Sequence, residues 1–145
     1  VPTRTARTAW TGSLQEGSGQ VELSSSKVAT FDVSFPRRAA DDAEGVTSPE
    51  ELIAAAHSSC YAMQLSALIA AAGGTPQSLE VTAEVTLSPD PAGGFQISGI
   101  ALSVEGEVDG LDAEGFEKAA QAAKAGCPVS KALTGTTITL SAALA

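Results

Sequence analysis

The stretch SPEELIAAAHSSCYAMQLSALIAA, Ser48 to Ala71, decides how the rest of the chain is read. It opens as a helix. Ser48 suits the N-cap, Pro49 the first helical position and Glu51 the third position of a capping box, while Glu50 and Glu51 both favour the positive end of the helix dipole. Gly73-Gly74, just before Thr75-Pro76, predicts the stop. Between these limits apolar residues cover nearly the whole circumference, so the helix is expected at the centre of the core or of a subunit interface. Near its middle it carries Cys60, one of only two cysteines in the chain.

Outward from this helix the pattern is α+β. Residues 4–10, 20–24 and 28–35 read as strands of a small meander, separated by turn-forming runs around Gly12 and Gly17-Ser18-Gly19. The stretch from Pro36 to Thr47 loses periodicity, gathers Arg37, Arg38, Asp41, Asp42 and Glu44, and reads as a surface loop. After the helix, residues 78–88 and 94–108 alternate apolar and polar residues around the hairpin turn PDPAGG. Asp112 can cap a further helix whose Phe116, Ala119, Ala120 and Ala123 share a face and which ends at Gly126. Cys127-Pro128 begins a short helix through Leu133, and residues 136–144 form the closing strand. Helices do not alternate with single strands, so the expectation is one domain, 1–145, with an antiparallel sheet around a long central helix.

Composition narrows the function. A chain of 145 residues suffices for one domain with a proper core. A net charge of -9 argues against nucleic acid and anionic membrane surfaces as partners, since both would repel it. His57, Ser58, Ser59 and Gln64 interrupt the apolar run, which is therefore not expected to span a membrane. Nothing at the start reads as an export signal, so the expected compartment is the cytoplasm. Two distant thiols and one histidine do not make a structural zinc site, and Cys60 and Cys127 do not form a CxxC motif. No metal or bound cofactor is expected.

The thiols themselves read two ways. A buried free cysteine often acts only as a small hydrophobe. His57, three residues before Cys60, shares its helical face and permits a cysteine-histidine nucleophile, although a histidine on an apolar helix is more often a hydrogen-bonded structural residue. Cys127, followed by Pro128, stands at a helix N-terminus, where free N–H groups favour a thiolate.

The segments TSPEELIAAAHSSCYAMQLS (47–66) and KAGCPVSKAL (124–133) closely resemble the OsmC/Ohr family, the osmotically inducible and organic hydroperoxide resistance proteins. The likeness extends through the strand order to the TTITLSA ending, and the HSSC motif looks like the OsmC branch. The resemblance implies an OsmC-like fold in an intertwined homodimer, with thiol-dependent reduction of organic hydroperoxides and hydrogen peroxide under osmotic and oxidative stress. Cys60 matches the peroxidatic position, Cys127 the resolving position and Glu50 the catalytic glutamate. The family's activating arginine falls within FPRRAADDAEG, on Arg38 or, one position earlier, on Arg37, with Arg38 favoured. The implied cycle runs from thiolate through sulfenic acid to a Cys60–Cys127 disulfide. The implied reductant is a thiol, for the Ohr branch a lipoamide-type dithiol.

These residue types fit one another. Burial raises a thiol's pKa, so a nucleophilic thiolate needs a local cation; arginine supplies one permanently, and a carboxylate can hold its donor fork. Ten residues separate Glu50 from Cys60, about 15 Å of helical rise, so the two are expected to meet only across a two-fold axis between antiparallel helices. Two other readings stand beside the peroxidase: a non-enzymatic stress protein binding an apolar ligand, and a cysteine-histidine hydrolase resting on His57.

Overall fold

In the computed structural model, which describes residues 1–145, three short strands come first: β1 (Arg7–Thr11), β2 (Ser18–Glu22) and β3 (Thr30–Val33). They form the expected antiparallel meander, with Arg7 opposite Glu22 and Gly19 opposite Val33. Val21 is buried, whereas all five residues of β1 are exposed. The region read as a surface loop instead begins with a short helix, α1 (Phe35–Ala39). Ser34 caps it by accepting from Arg37 N (3.4 Å), and Pro36 lies in its first turn. Five residues are too few to display a period of 3.6, so the hydrophobic pattern could not reveal this helix.

The long helix α2 (Pro49–Ala71) starts as expected, with Ser48 Oγ accepting from Glu51 N at 3.1 Å. The capping box does not close, because the Glu51 carboxylate turns to the Thr47 hydroxyl instead. At the other end Gly73 takes φ +90°, and the bonds Gly73 N to Ala70 O and Gly74 N to Ile69 O complete a Schellman-type stop. The chain divides within this helix into two compact units, 1–52 and 53–145.

In the second unit β4 (Thr75–Pro89) and β5 (Phe95–Asp109) form a long antiparallel hairpin, followed by α3 (Ala113–Gly126), α4 (Pro128–Ala132) and β6 (Thr137–Leu144). Pro76 is tolerated because β4 is an edge strand of the order β4-β5-β6. The expectation of a wholly antiparallel sheet is corrected here: β6 runs parallel to β5, with Ile100, Leu102 and Val104 opposite Ile138, Leu140 and Ala142. The segment carrying α3 and α4 is the crossover that a parallel pair requires.

One face of this sheet is apolar and the other bears Glu80, Glu84, Glu105 and Glu107. Against the apolar face lie Tyr61, Leu65 and Ile69 of α2 and Phe116, Ala119, Ala120 and Ala123 of α3. Each large side chain in this set contributes roughly 1.5–3 kcal/mol by burial. Phe116 lies over Gly106 of β5, where an added Cβ would stand 2.7 Å from the ring. By length and composition α2 does pass as a membrane-crossing helix, contrary to the sequence expectation. Within the fold it buries His57, Tyr61, Leu65 and Ile69 at a four-residue repeat. Its burial is one-sided, since Ala55, Ala56, Ser59, Met63, Ala67 and Ala70 are exposed.

Candidate active site

The first unit builds an arginine-carboxylate clamp. The last turn of α1 carries Arg38 and the first turn of α2 carries Glu50. Arg38 Nε donates to Glu50 Oε1 at 2.9 Å and Nη2 to Oε2 at 2.8 Å, the bidentate geometry in which a guanidinium is held in a fixed plane. Glu50 is buried, and its hydrogen bonds raise the Arg38 pKa further despite the opposing effect of burial. Arg37 faces a different set of partners: its Nη1 pairs with Glu44 at 2.8 Å and donates to Asp42 O at 3.2 Å. Arg38 also borders a cavity of about 510 Å³ whose walls include Trp10, Leu14, Val33, Phe35 and Leu52.

The second unit builds the thiol pair. Cys127 is both the last cap of α3, donating from N to Ala123 O at 2.9 Å, and the residue that leads into α4 through Pro128. That junction buries it completely, and Cys60 of α2 is half-buried beside it. The two sulfurs are free and 3.1 Å apart, although 67 residues separate them in sequence. Burial pushes both thiols up. On Cys127 this is outweighed by the surrounding polar groups of Ser130, Cys60 and Val129, which leave it below its ordinary value. Cys60 stays above its ordinary value, through burial first and the bond shared with Cys127 second, with a Val129 backbone bond opposing.

His57 does not pair with a thiol. Its Nε2 lies 2.7 Å from Ser130 Oγ, and its Nδ1 is buried with no partner. Burial pushes the imidazole below its ordinary range, so it is neutral near pH 7. Tyr61, one residue after Cys60, donates its hydroxyl to Ala120 O at 3.0 Å and is pushed well up by burial, by Glu117 and by Cys127. Sequence reasoning missed Ser130. Its spacing of three from Cys127 was visible in CPVS, but nothing in the sequence ties it to His57, which is 73 residues away.

Thus the chain is an α+β protein with a paired-thiol centre and a separately built arginine-carboxylate clamp. Residues 41–141 match the family described as OsmC-like protein. The chain is 44% identical over 124 residues to peroxiredoxin OsmC of Escherichia coli (strain K12), a match spanning 86% of this chain and 85% of that one. It is 36% identical over 114 residues to organic hydroperoxide resistance protein OhrA of Bacillus subtilis (strain 168), covering 78% and 79% of the two chains. Its fold matches the crystal structure of the organic hydroperoxide resistance protein OhrB of Bacillus subtilis with a TM-score of 0.73 and 30% identity, covering 95% of this chain and 97% of that one. The chain belongs to the OsmC-like protein family.

Proposed function

We propose that this protein is a cysteine peroxidase that reduces organic hydroperoxides and hydrogen peroxide at the expense of a thiol reductant. The observation that carries this reading is the 3.1 Å separation of Cys60 and Cys127. The names of the peroxiredoxin and hydroperoxide-resistance relatives support the same chemistry. In the first step the Cys60 thiolate attacks the terminal peroxide oxygen. A sulfur-oxygen bond forms, the oxygen-oxygen bond breaks, and an alcohol or water leaves once its oxygen is protonated. Cys60 is then a sulfenic acid. In the second step the Cys127 thiolate attacks that sulfur, a disulfide forms, and hydroxide leaves. A dithiol of the lipoamide type returns both sulfurs to thiols and is itself oxidised to a disulfide. A reducing compartment such as the cytoplasm suits a pair that must start as thiols.

The proposed catalytic set is Cys60, Cys127, Arg38 and Glu50. The thiol pair's own surroundings leave Cys60 above its ordinary pKa, so its role as nucleophile calls for a cation. We assign that role to Arg38, with Glu50 fixing its fork, because Arg37 is engaged by Glu44 and Asp42. We place these groups in an intertwined homodimer with sites completed across the two-fold axis. The helical rise of about 15 Å between Glu50 and Cys60 and the exposed small-residue face of α2 support that arrangement.

The test is stoichiometric. Mixing the reduced protein with an organic hydroperoxide should remove two thiols rapidly. Cys60→Ser should abolish the reaction, while Cys127→Ser should react once and then stall or over-oxidise at Cys60. Equal loss of the first step in both variants would overturn the assigned roles. The largely apolar cavity beside Arg38 favours a second reading, a non-enzymatic apolar-ligand binder, under which neither thiol would be lost quickly.

A further inference from the structure

The second unit joins its two thiol-bearing segments at two points. Cys60 of α2 faces Cys127 with the sulfurs 3.1 Å apart, and His57 of α2 meets Ser130 of α4 with Nε2 and Oγ 2.7 Å apart. The two contacts are matched in spacing. His57 stands three residues before Cys60 and Ser130 three residues after Cys127, so the second contact lies about one helical turn from the first on each element. The peroxidase cycle, as proposed, uses only the first.

The segment that carries Cys127 depends on such a tie. Helix α4 has five residues, too few to hold itself by its own backbone bonds, and Cys127 at its start provides no side-chain cap. Val129 and Leu133 rest against the core, but apolar contacts are non-directional. A hydrogen bond between the buried His57 and Ser130 side chains has a direction and a fixed length. Packing alone does not call for a histidine on α2. His57 is fully buried with Nδ1 unpartnered, a cost that leucine in its place would not carry. What the imidazole adds is the bond to Ser130.

We propose that His57 and Ser130 are positioning residues for the thiol pair: their hydrogen bond ties α4 to α2 and keeps the Cys127 sulfur within bonding reach of Cys60 before any disulfide exists. The tie acts through the two backbones and needs no contact between either side chain and a sulfur. Without it the reduced protein samples more arrangements of α4, and closing the disulfide must remove that freedom. By linkage, a closed disulfide strengthens the tie in return. The inference rests on the peroxidase reading for its consequence, because disulfide closure is the step of that cycle that draws on proximity. The equilibrium between dithiol and disulfide needs no peroxide.

The experiment equilibrates the pair with a glutathione buffer. One glutathione disulfide is reduced to two thiols as the Cys60–Cys127 bond forms, and both cysteine protons pass to glutathione. Ser130→Ala should favour the dithiol by about tenfold, the scale of one buried hydrogen bond, which reads as about 30 mV toward a more oxidising potential. The double variant Ser130→Ala/His57→Leu, which leaves neither partner stranded, should show the same shift and no more, while Ser130→Thr, which keeps the hydroxyl, should stay near the parent value. Val104→Ala on β5 loosens the core without touching the tie and should also stay there. The shift should be equal at about pH 7 and about pH 10, both above the range in which the buried His57 takes a proton. A parent-like potential in Ser130→Ala and the double variant, an equal shift in Val104→Ala, or a shift confined to one pH, which traces to thiol ionisation, overturns the proposal. If the double variant does not fold, Ser130→Ala against Ser130→Thr decides. A protein that shows these potentials yet consumes no peroxide sinks the peroxidase reading and leaves the tie standing.

Discussion

Oxidation of the thiol pair should stabilise the fold by an amount the structure allows to be worked out. A Cys60–Cys127 disulfide would close a segment of 67 residues. In the loop-entropy treatment this removes roughly 15 cal/mol/K from the unfolded chain, about 4 kcal/mol at room temperature. The native-state cost is small, because sulfurs already 3.1 Å apart need to approach by only about 1 Å to bond. At roughly 3 °C per kcal/mol for a chain of this size, the thermal midpoint should rise by about 12 °C. The assay compares urea and thermal unfolding of reduced protein with protein treated with one equivalent of organic hydroperoxide and no reductant, at equal protein concentration. Mass spectrometry under non-reducing conditions establishes an intrachain bond, and Cys127→Ser treated identically should gain nothing. An intrachain disulfide that leaves stability unchanged or lower would refute the reasoning, as would disulfides formed only between chains.

Arg38→Ala should shift the pH at which Cys60 becomes reactive upward by about one unit or more, and Arg37→Ala should leave it near its parent value; the alkylation rate of Cys60 against pH reads both, and the reverse pattern would move the role to Arg37. Mixing inactive Cys60→Ser chains with inactive Glu50→Ala chains should restore part of the activity if each site draws on both chains; no recovery, with subunit exchange shown independently, would place each site within one chain. The buried neutral His57 has a pKa below its unfolded value, so its stabilising contribution is complete above about pH 6.5 and is lost as pH falls below it, where the unfolded chain takes the proton first. The urea midpoint should therefore fall on acidification through that range, and the fall should be shallower in His57→Gln.

Local signals carried a large part of the fold because they depend on neighbours in sequence. Ser48 and Pro49, the glycines after Ala71, and Asp112, whose Oδ1 accepts from Gly115 N at 2.7 Å, mark helix ends through backbone groups a few residues away. Phe116, Ala119, Ala120 and Ala123 are buried together because helical spacing alone puts them on one face. The same locality explains the failures. Alternation along residues 136–144 tells which side chains face the core, but a period of two reads the same in either direction, so it could not show that β6 runs parallel to β5. α1 was too short to leave a period at all.

By itself, then, the sequence determined the helices and their caps, the two-faced strands, and, through the HSSC and CPVS motifs, the family. Only the tertiary structure decided which polar groups are partners. His57 with Ser130 and Arg37 with Glu44 are pairings made across turns, helices and up to 73 residues of chain, while Cys60 with Cys127 and Arg38 with Glu50, which the family resemblance had implied, received their distances there. The physical reason is that burial strips Cys127, His57, Ser130 and Glu50 of water, so each is driven to a partner in the fold, and the search is settled by the packing of whole elements rather than by spacing along the chain.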